Sequence, residues 1–505
     1  MLVDVAVLTS VALGPVAEAF GMHEISRYSA VQSSMAVRLD ILPAERPRSG
    51  RAVLSLPMDE STLAIVPAVQ PGPVIRPQPG TQPHKQVQAI RALKKLALLS
   101  GPDISQYVAA HPNVIGTLLA SPPPPRDVML WWSTLDARAR STLGSSAPQL
   151  IGNLEGIPVS VRDGANRTML HSTIDSLDQL VSLGAGRSVV ENAKQQLKML
   201  RSISGALDGG AAGDLSTVAS VVTQTCDLGE AARTLLTLDV TGQGRAAIVL
   251  GDLTTADYVT YLVPGMFFTI ENQMGAWAEA AGELYEQQLD WLRYFDSKSG
   301  AAPVQAASGQ FVAEQKTVAT VAWIGYHTPN LTNVGGIQNA DEGRDALASA
   351  IKGLQLLRSS HEPYVTVIAH SYGSTAALMA LTEYNFTVDA LALVGSPGSP
   401  ARSVDELHVR SGNVYVGEGA WDPIPNSSYF GSDPGAASYG AKQMSVAGGN
   451  DSITGDLLLA SNGHNEYFSP GTESMRNFAL ISIGKGQFVT GGSPVVLAKA
   501  FGPSK

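Results

Sequence analysis

A chain of 505 residues is too long for one compact core, so two domains are the natural expectation, and shares of 44% apolar and 15% charged residues exclude a disordered protein. A net charge of −10, with no basic stripe, argues against nucleic acid as a partner. The single cysteine, Cys226, excludes an internal disulfide and any cysteine-built metal site, and it reads as a buried free thiol.

In chain order, Val3 to Ala19 is apolar and Ala17-Glu18-Ala19 resembles a cleavage site. No Lys or Arg precedes the run, however, and Asp4 and Pro15 interrupt it. A short amphipathic helix and a cytoplasmic location are the favoured reading, with secretion as the alternative. No stretch approaches the ~20 apolar residues that a membrane span needs. The rest of residues 1–125 is poorly patterned, with a proline-rich linker from Pro67 to Pro83 and a second run at Pro122 to Pro125. Between them, Val87, Ile90, Leu93, Leu96 and Ala97 recur at helical spacing.

Residues 126–238 read as a helical region that packs on the domain formed by residues 239–505. Trp131-Trp132 open an amphipathic helix, and 172–238 is helical by periodicity apart from breaks at Gly184 to Gly186 and Gly209 to Gly213. From 239 to 505 the pattern changes. Strands are expected at Ala246–Leu250, Tyr258–Val263, Val318–Ile324, Tyr364–Ala369, Ala390–Val394 and Val414–Val416, with helices at Trp277–Leu292 and Glu342–Leu357. Uniformly apolar strands alternating with helices predict an α/β domain whose mostly parallel sheet is covered on both faces.

The strand Tyr364–Ala369 runs straight into the helix-favouring stretch Ser374 to Leu381, and Ser371 sits at the joint in Ala369-His370-Ser371-Tyr372-Gly373. Small residues beside a serine on so sharp a turn fit a nucleophile elbow, here with alanine in place of the usual first glycine. A serine hydroxyl needs a base, and the base needs a carboxylate to orient it. On such an elbow the acid and then the histidine come after the serine, on loops at the carboxyl ends of strands.

Only His408 and His464 come after Ser371. His408 precedes a strand and so belongs at the wrong end, whereas His464 lies in a turn-rich loop after the last strand. Asp422 ends the run Val414 to Trp421, with Pro423 stiffening its placement. Glu418 is the nearest competitor, Asp389 faces the wrong end of the sheet, and Asp433 and Asp451 are weaker candidates. Oxyanion donors are expected from the N–H of Tyr372 and from the loop Val263-Pro264-Gly265-Met266, through Met266 or Phe267. His370 reads as a packed neighbour rather than a base. Phe267, Phe268, Trp323 and Tyr326 are read either as the lining of an apolar acyl pocket or as core. The glycine clusters lack phosphate-loop spacing, and neither a metal nor an organic cofactor is indicated.

Several segments together resemble the actinobacterial α/β-hydrolase family catalogued as a domain of unknown function. They are Gly152-Asn153-Leu154-Glu155-Gly156-Ile157-Pro158 with Arg162-Asp163-x-Ala165-Asn166-Arg167, then Gly244-Arg245-Ala246-Ala247, Thr255 to Val259 and Val263 to Met266. Ala322 to Tyr326, His370 to Ser374, Asp422-Pro423-Ile424 and His464-x-Glu466-Tyr467-Phe468 complete the set, over roughly residues 126–490. The resemblance implies an α/β-hydrolase fold in 239–505 and a Ser371–Asp422–His464 triad, in agreement with the chain order. The resulting expectation is a serine hydrolase acting on a small-molecule carboxylic ester, with activity rising with pH through the ordinary histidine range, ~6.5. A peptidase, amidase or acyltransferase could use the same triad, and a non-catalytic hydrolase-fold binding module is the alternative from another class.

Overall fold

A computed structural model describes residues 83–184, 186–209, 231–299, 304–305, 311–312, 316–425 and 427–491. The apolar run at 3–19, most of the proline-rich linker and Cys226 lie outside the described residues. Among the described residues no helix is long and apolar enough to cross a membrane.

The chain opens with helices α1 (Pro83–Ala97), α2 (Gly101–Ala110), α3 (Pro112–Ala120), α4 (Pro125–Thr134), α5 (Ala137–Ser146), α6 (Pro148–Asn153), α7 (Val159–Ser182) and α8 (Arg187–Leu207). Residues 101–120, unpatterned in sequence, are thus helical. Pro102, Pro112, Pro125 and Pro148 lie in first turns, where a missing N–H costs nothing, so these prolines start helices rather than break them. Leu93, Leu96, Ile104, Leu118, Trp131, Leu143 and Ile151 share one apolar core.

The main sheet contains β1 (Arg233–Asp239), β2 (Arg245–Gly251), β3 (Tyr258–Val263), β4 (Val318–Ile324), β5 (Tyr364–His370), β6 (Ala390–Val394), β7 (Val414–Gly417) and β8 (Lys442–Gln443). Their spatial order is β1-β2-β4-β3-β5-β6-β7-β8. β2 is antiparallel to both neighbours, and the remaining pairs are parallel. Both faces are buried, which is why the central strands are mostly apolar, with Thr260, Thr320 and Thr366 as buried exceptions. In β4, Ala319, Val321 and Trp323 enter one core while Val318, Ala322 and Ile324 enter the other. Helices α10 (Gln338–Leu357) and α11 (Tyr372–Glu383) cover the first face. Helices α9 (Ile270–Ser299) and α12 (Glu473–Ser482) cover the second, together with α8.

The edge strand β1 departs from the sequence expectation of helix through residue 238. Its run of leucines and threonines suits either period, and pairing with β2 decides it. The outer backbone of β1 is met by side chains of α6 and α7. Asn153 Oδ1 accepts from Leu238 N–H and its Nδ2 donates to Leu238 O; Asp163 Oδ1 accepts from Leu235 N–H; Asn166 Nδ2 and Arg167 Nη2 donate to Leu235 O and Arg233 O. An open edge is thereby closed by side chains rather than by another strand. Buried Arg162 forms a bidentate pair with Glu155 and donates from Nε to Gly152 O.

Candidate active site

The turn from β5 into α11 places Ser371 at φ 52° and ψ −131°, a left-handed conformation that costs a non-glycine residue about 1–3 kcal/mol. Three hydrogen bonds hold it: Ser371 N–H donates to Val394 O (2.9 Å), and Ser371 O accepts from Ser374 N–H (2.9 Å) and Ser374 Oγ–H (2.6 Å). The turn also needs close backbone approach. A Cβ on Gly265 would lie 2.5 Å from Ser371 Cβ, and one on Gly373 would lie 2.3 Å from Pro264 O. Ala369, standing where glycine is usual, is a fully buried strand residue whose methyl joins the core.

The fold brings Asp422, from the loop after β7, and His464, from the loop before α12, onto this serine. His464 Nε2 lies 2.8 Å from Ser371 Oγ, and His464 Nδ1 lies 2.9 Å from each Asp422 carboxylate oxygen. An ionised carboxylate only accepts, so Nδ1 carries the proton and Nε2 accepts from the serine hydroxyl. Burial pushes the Asp422 carboxyl up, but donors from His464, Tyr467 and Ile424 N–H outweigh it and hold the group below the ordinary carboxylate range. Gly395, at φ 58°, leaves the space this pair needs, since a Cβ there would lie 2.9 Å from the His464 ring. Ser371, Asp422 and His464 are 1%, 6% and 7% exposed, so chemistry at this site would proceed away from bulk water.

The other acid and histidine candidates are placed elsewhere. His408 Nδ1 contacts Tyr384 O, Asp389 accepts from Val365 N–H at the amino end of β5, and Asp451 pairs with Arg476. Asp433 accepts from Gly435 N–H. Glu418 does not occupy the carboxylate position beside His464 Nδ1, which is that of Asp422. His370 is buried, donates from Nε2 to the carbonyl of His464 (2.7 Å) and packs its ring 4.7 Å from the His464 ring. Burial drops its pKa to about 3, so the ring is neutral.

Tyr372 begins α11 with its N–H beside the elbow, and its hydroxyl accepts from Ala340 N–H and donates to Gly336 O. In the facing loop, Phe267 N–H donates to Pro329 O (3.0 Å) with Phe267 at φ 64°, so of the two amides considered there the one left for an oxyanion is that of Met266. Trp323 and Tyr326 are core residues, not exposed lining. They stack on each other at 2% and 0% exposure, and Tyr326 Oη–H braces Pro264 O. The physical reason is Gly343 of α10, whose missing side chain lets the helix close over the Tyr326 ring. Phe268 is half-buried, edge-on to Trp277 and His370. Tyr467, given no role from sequence, donates to Asp422 Oδ2 at 2.6 Å. The available signal was its place three residues after the histidine.

Residues 239–432 match the family model described as alpha/beta hydrolase. An uncharacterized protein of Mycobacterium tuberculosis is 27% identical over 414 residues, covering 72% of this chain and 57% of its own length. The chain therefore spans a little over half the length of that relative. An uncharacterized protein of Mycobacterium bovis is 27% identical over 208 residues, 40% of this chain and 72% of its own. Among solved structures, an arylesterase is 9% identical, with 63% of this chain and 98% of that one covered, at a TM-score of 0.30. A dienelactone hydrolase from Anabaena variabilis is 13% identical, with 38% and 76% covered, at a TM-score of 0.25. Residues 239–432 are thus similar to the α/β-hydrolase family, and the mostly parallel sheet with helices on both faces is an α/β-hydrolase fold.

Proposed function

We propose that the chain is a serine hydrolase that cleaves carboxylic esters through an acyl-enzyme. The observation that carries the reading is the continuous hydrogen-bonded line from Ser371 Oγ through His464 to Asp422, at 2.8 and 2.9 Å, with the serine held at positive φ. Ser371 Oγ attacks the ester carbonyl as its proton passes to His464 Nε2, and Asp422 stabilises the imidazolium. The oxyanion of the tetrahedral intermediate takes hydrogen bonds from the N–H groups of Tyr372 and Met266. His464 then gives the proton to the departing alcohol. In the second half, water loses its proton to the same nitrogen and releases the acid. Phe267 and Phe268, in the oxyanion loop, contact the acyl group, while Tyr326, stacked on Trp323 in the core, fixes that loop through Pro264 O. An ester asks least of this machinery, because an alkoxide leaves a tetrahedral intermediate more readily than an amine does.

The test is turnover of an ester chain-length series, beside matched amides, by the wild type and Ser371→Ala. The reading requires ester hydrolysis by the wild type that Ser371→Ala abolishes. Full esterase activity in the variant would show it to be wrong.

A further inference from the structure

We propose that Tyr467 is the positioning residue of this site, a phenol that fixes the Asp422 carboxylate and sets how strongly it supports His464. The inference rests on the reading of Ser371, Asp422 and His464 as a triad. Tyr467 is fully buried, and its hydroxyl lies 2.8 Å from Gly419 N and 2.6 Å from Asp422 Oδ2. A backbone N–H can only donate, so the hydroxyl must accept at Gly419, and its one proton is committed to Asp422. The direction of this bond is therefore fixed by the fold. Tyr467 also ties together two loops: Gly419 and Asp422 come from the segment after β7, whereas Tyr467 sits on the same turn as His464. That turn is closed by Glu466, whose carboxylate accepts from Asn462 and Gly463 N–H. When the turn docks, base and brace reach the acid together.

A short bond from a neutral phenol draws charge from the carboxylate and so weakens its pull on the imidazolium. The other titratable groups facing this pair are His370, held neutral against the His464 ring, and Glu418, near the Tyr467 hydroxyl, besides Glu466 on the turn. His370 and Glu466 are bound to backbone groups, and Tyr467 donates to the acid itself.

The experiment is the pH profile of ester kcat/KM for wild type, Tyr467→Phe and the protein carrying a ring-fluorinated tyrosine at 467, with Ser371→Ala as the control. Tyr467→Phe is expected to lower kcat roughly 10- to 100-fold with little change in KM. Its acid limb should move up by as much as about one pH unit, because the undamped carboxylate favours protonated His464. The fluorinated tyrosine keeps the shape and is a stronger donor, so its limb should move down; it also serves if Tyr467→Phe does not fold. A residue that merely filled space would change the amount of active protein and leave the limb in place. Limbs coincident with wild type in every folded variant would overturn the inference, and with Ser371→Ala inactive the triad reading would survive that result. Activity in Ser371→Ala would instead remove the reading beneath it.

Discussion

Two polar networks, one half-buried at the sheet edge and one buried at the elbow, behave differently in this fold. Around β1, the side chains of Asn153, Asp163, Asn166 and Arg167 end on backbone groups of the edge strand. At the elbow, Asp422 and His464 end on the hydroxyl of Ser371, a side-chain group on a residue held at positive φ. The first network uses its polar atoms to satisfy the backbone. The second leaves its last atom available for chemistry. Polar motif residues are thus told apart by where their hydrogen bonds terminate.

Breaking each network separately should make the difference measurable. The largest effect is expected for Asp422→Asn, which keeps the shape but gives His464 a partner that permits the wrong tautomer. Ester kcat should fall roughly 10⁴-fold while the melting temperature changes little, as read by steady-state kinetics and calorimetry. Arg162→Met should do the reverse, since it leaves the partly buried Glu155 carboxylate without its partner. Denaturant titration should show a loss of about 2–4 kcal/mol, below the full cost of breaking a wholly buried pair, with kcat per folded molecule unchanged.

A smaller effect sharpens the second network. Folded His370 has its pKa lowered from the ordinary 6.5 to about 3, so the unfolded chain binds the extra proton first as pH falls. The stability this contributes is fully present above about 6.5 and is lost progressively toward about 3. His370→Gln keeps a donor for the His464 carbonyl and should flatten that decline in acid-unfolding curves, with little change near neutral pH. An unchanged slope would mean that His370 is not a neutral buried ring.

The two networks also differ in how far sequence alone reveals them. Serine, acid and histidine in fixed order, each at a strand's carboxyl end, singled out three residues that the fold does bring within hydrogen-bonding distance. The central strands were legible because burial on both faces leaves no polar alternation to confuse. β1 was not, because Leu235, Leu236 and Leu238 fit either period and only the β2 partner selects a strand. Nor could sequence separate Trp323 and Tyr326 from pocket lining, since their burial depends on α10 packing over them through Gly343. Tyr467 escaped for a similar reason. Its partners Gly419 and Asp422 lie more than forty residues away along the chain.

The most direct measurement is the site and stoichiometry of covalent labelling by a fluorophosphonate, read by mass spectrometry on the intact chain and its proteolytic peptides. An activated Ser371 predicts one adduct per chain, on the peptide containing Ser371, that forms far more slowly in Asp422→Asn. An adduct on another residue, or an unlabelled chain that nonetheless hydrolyses esters, would contradict it.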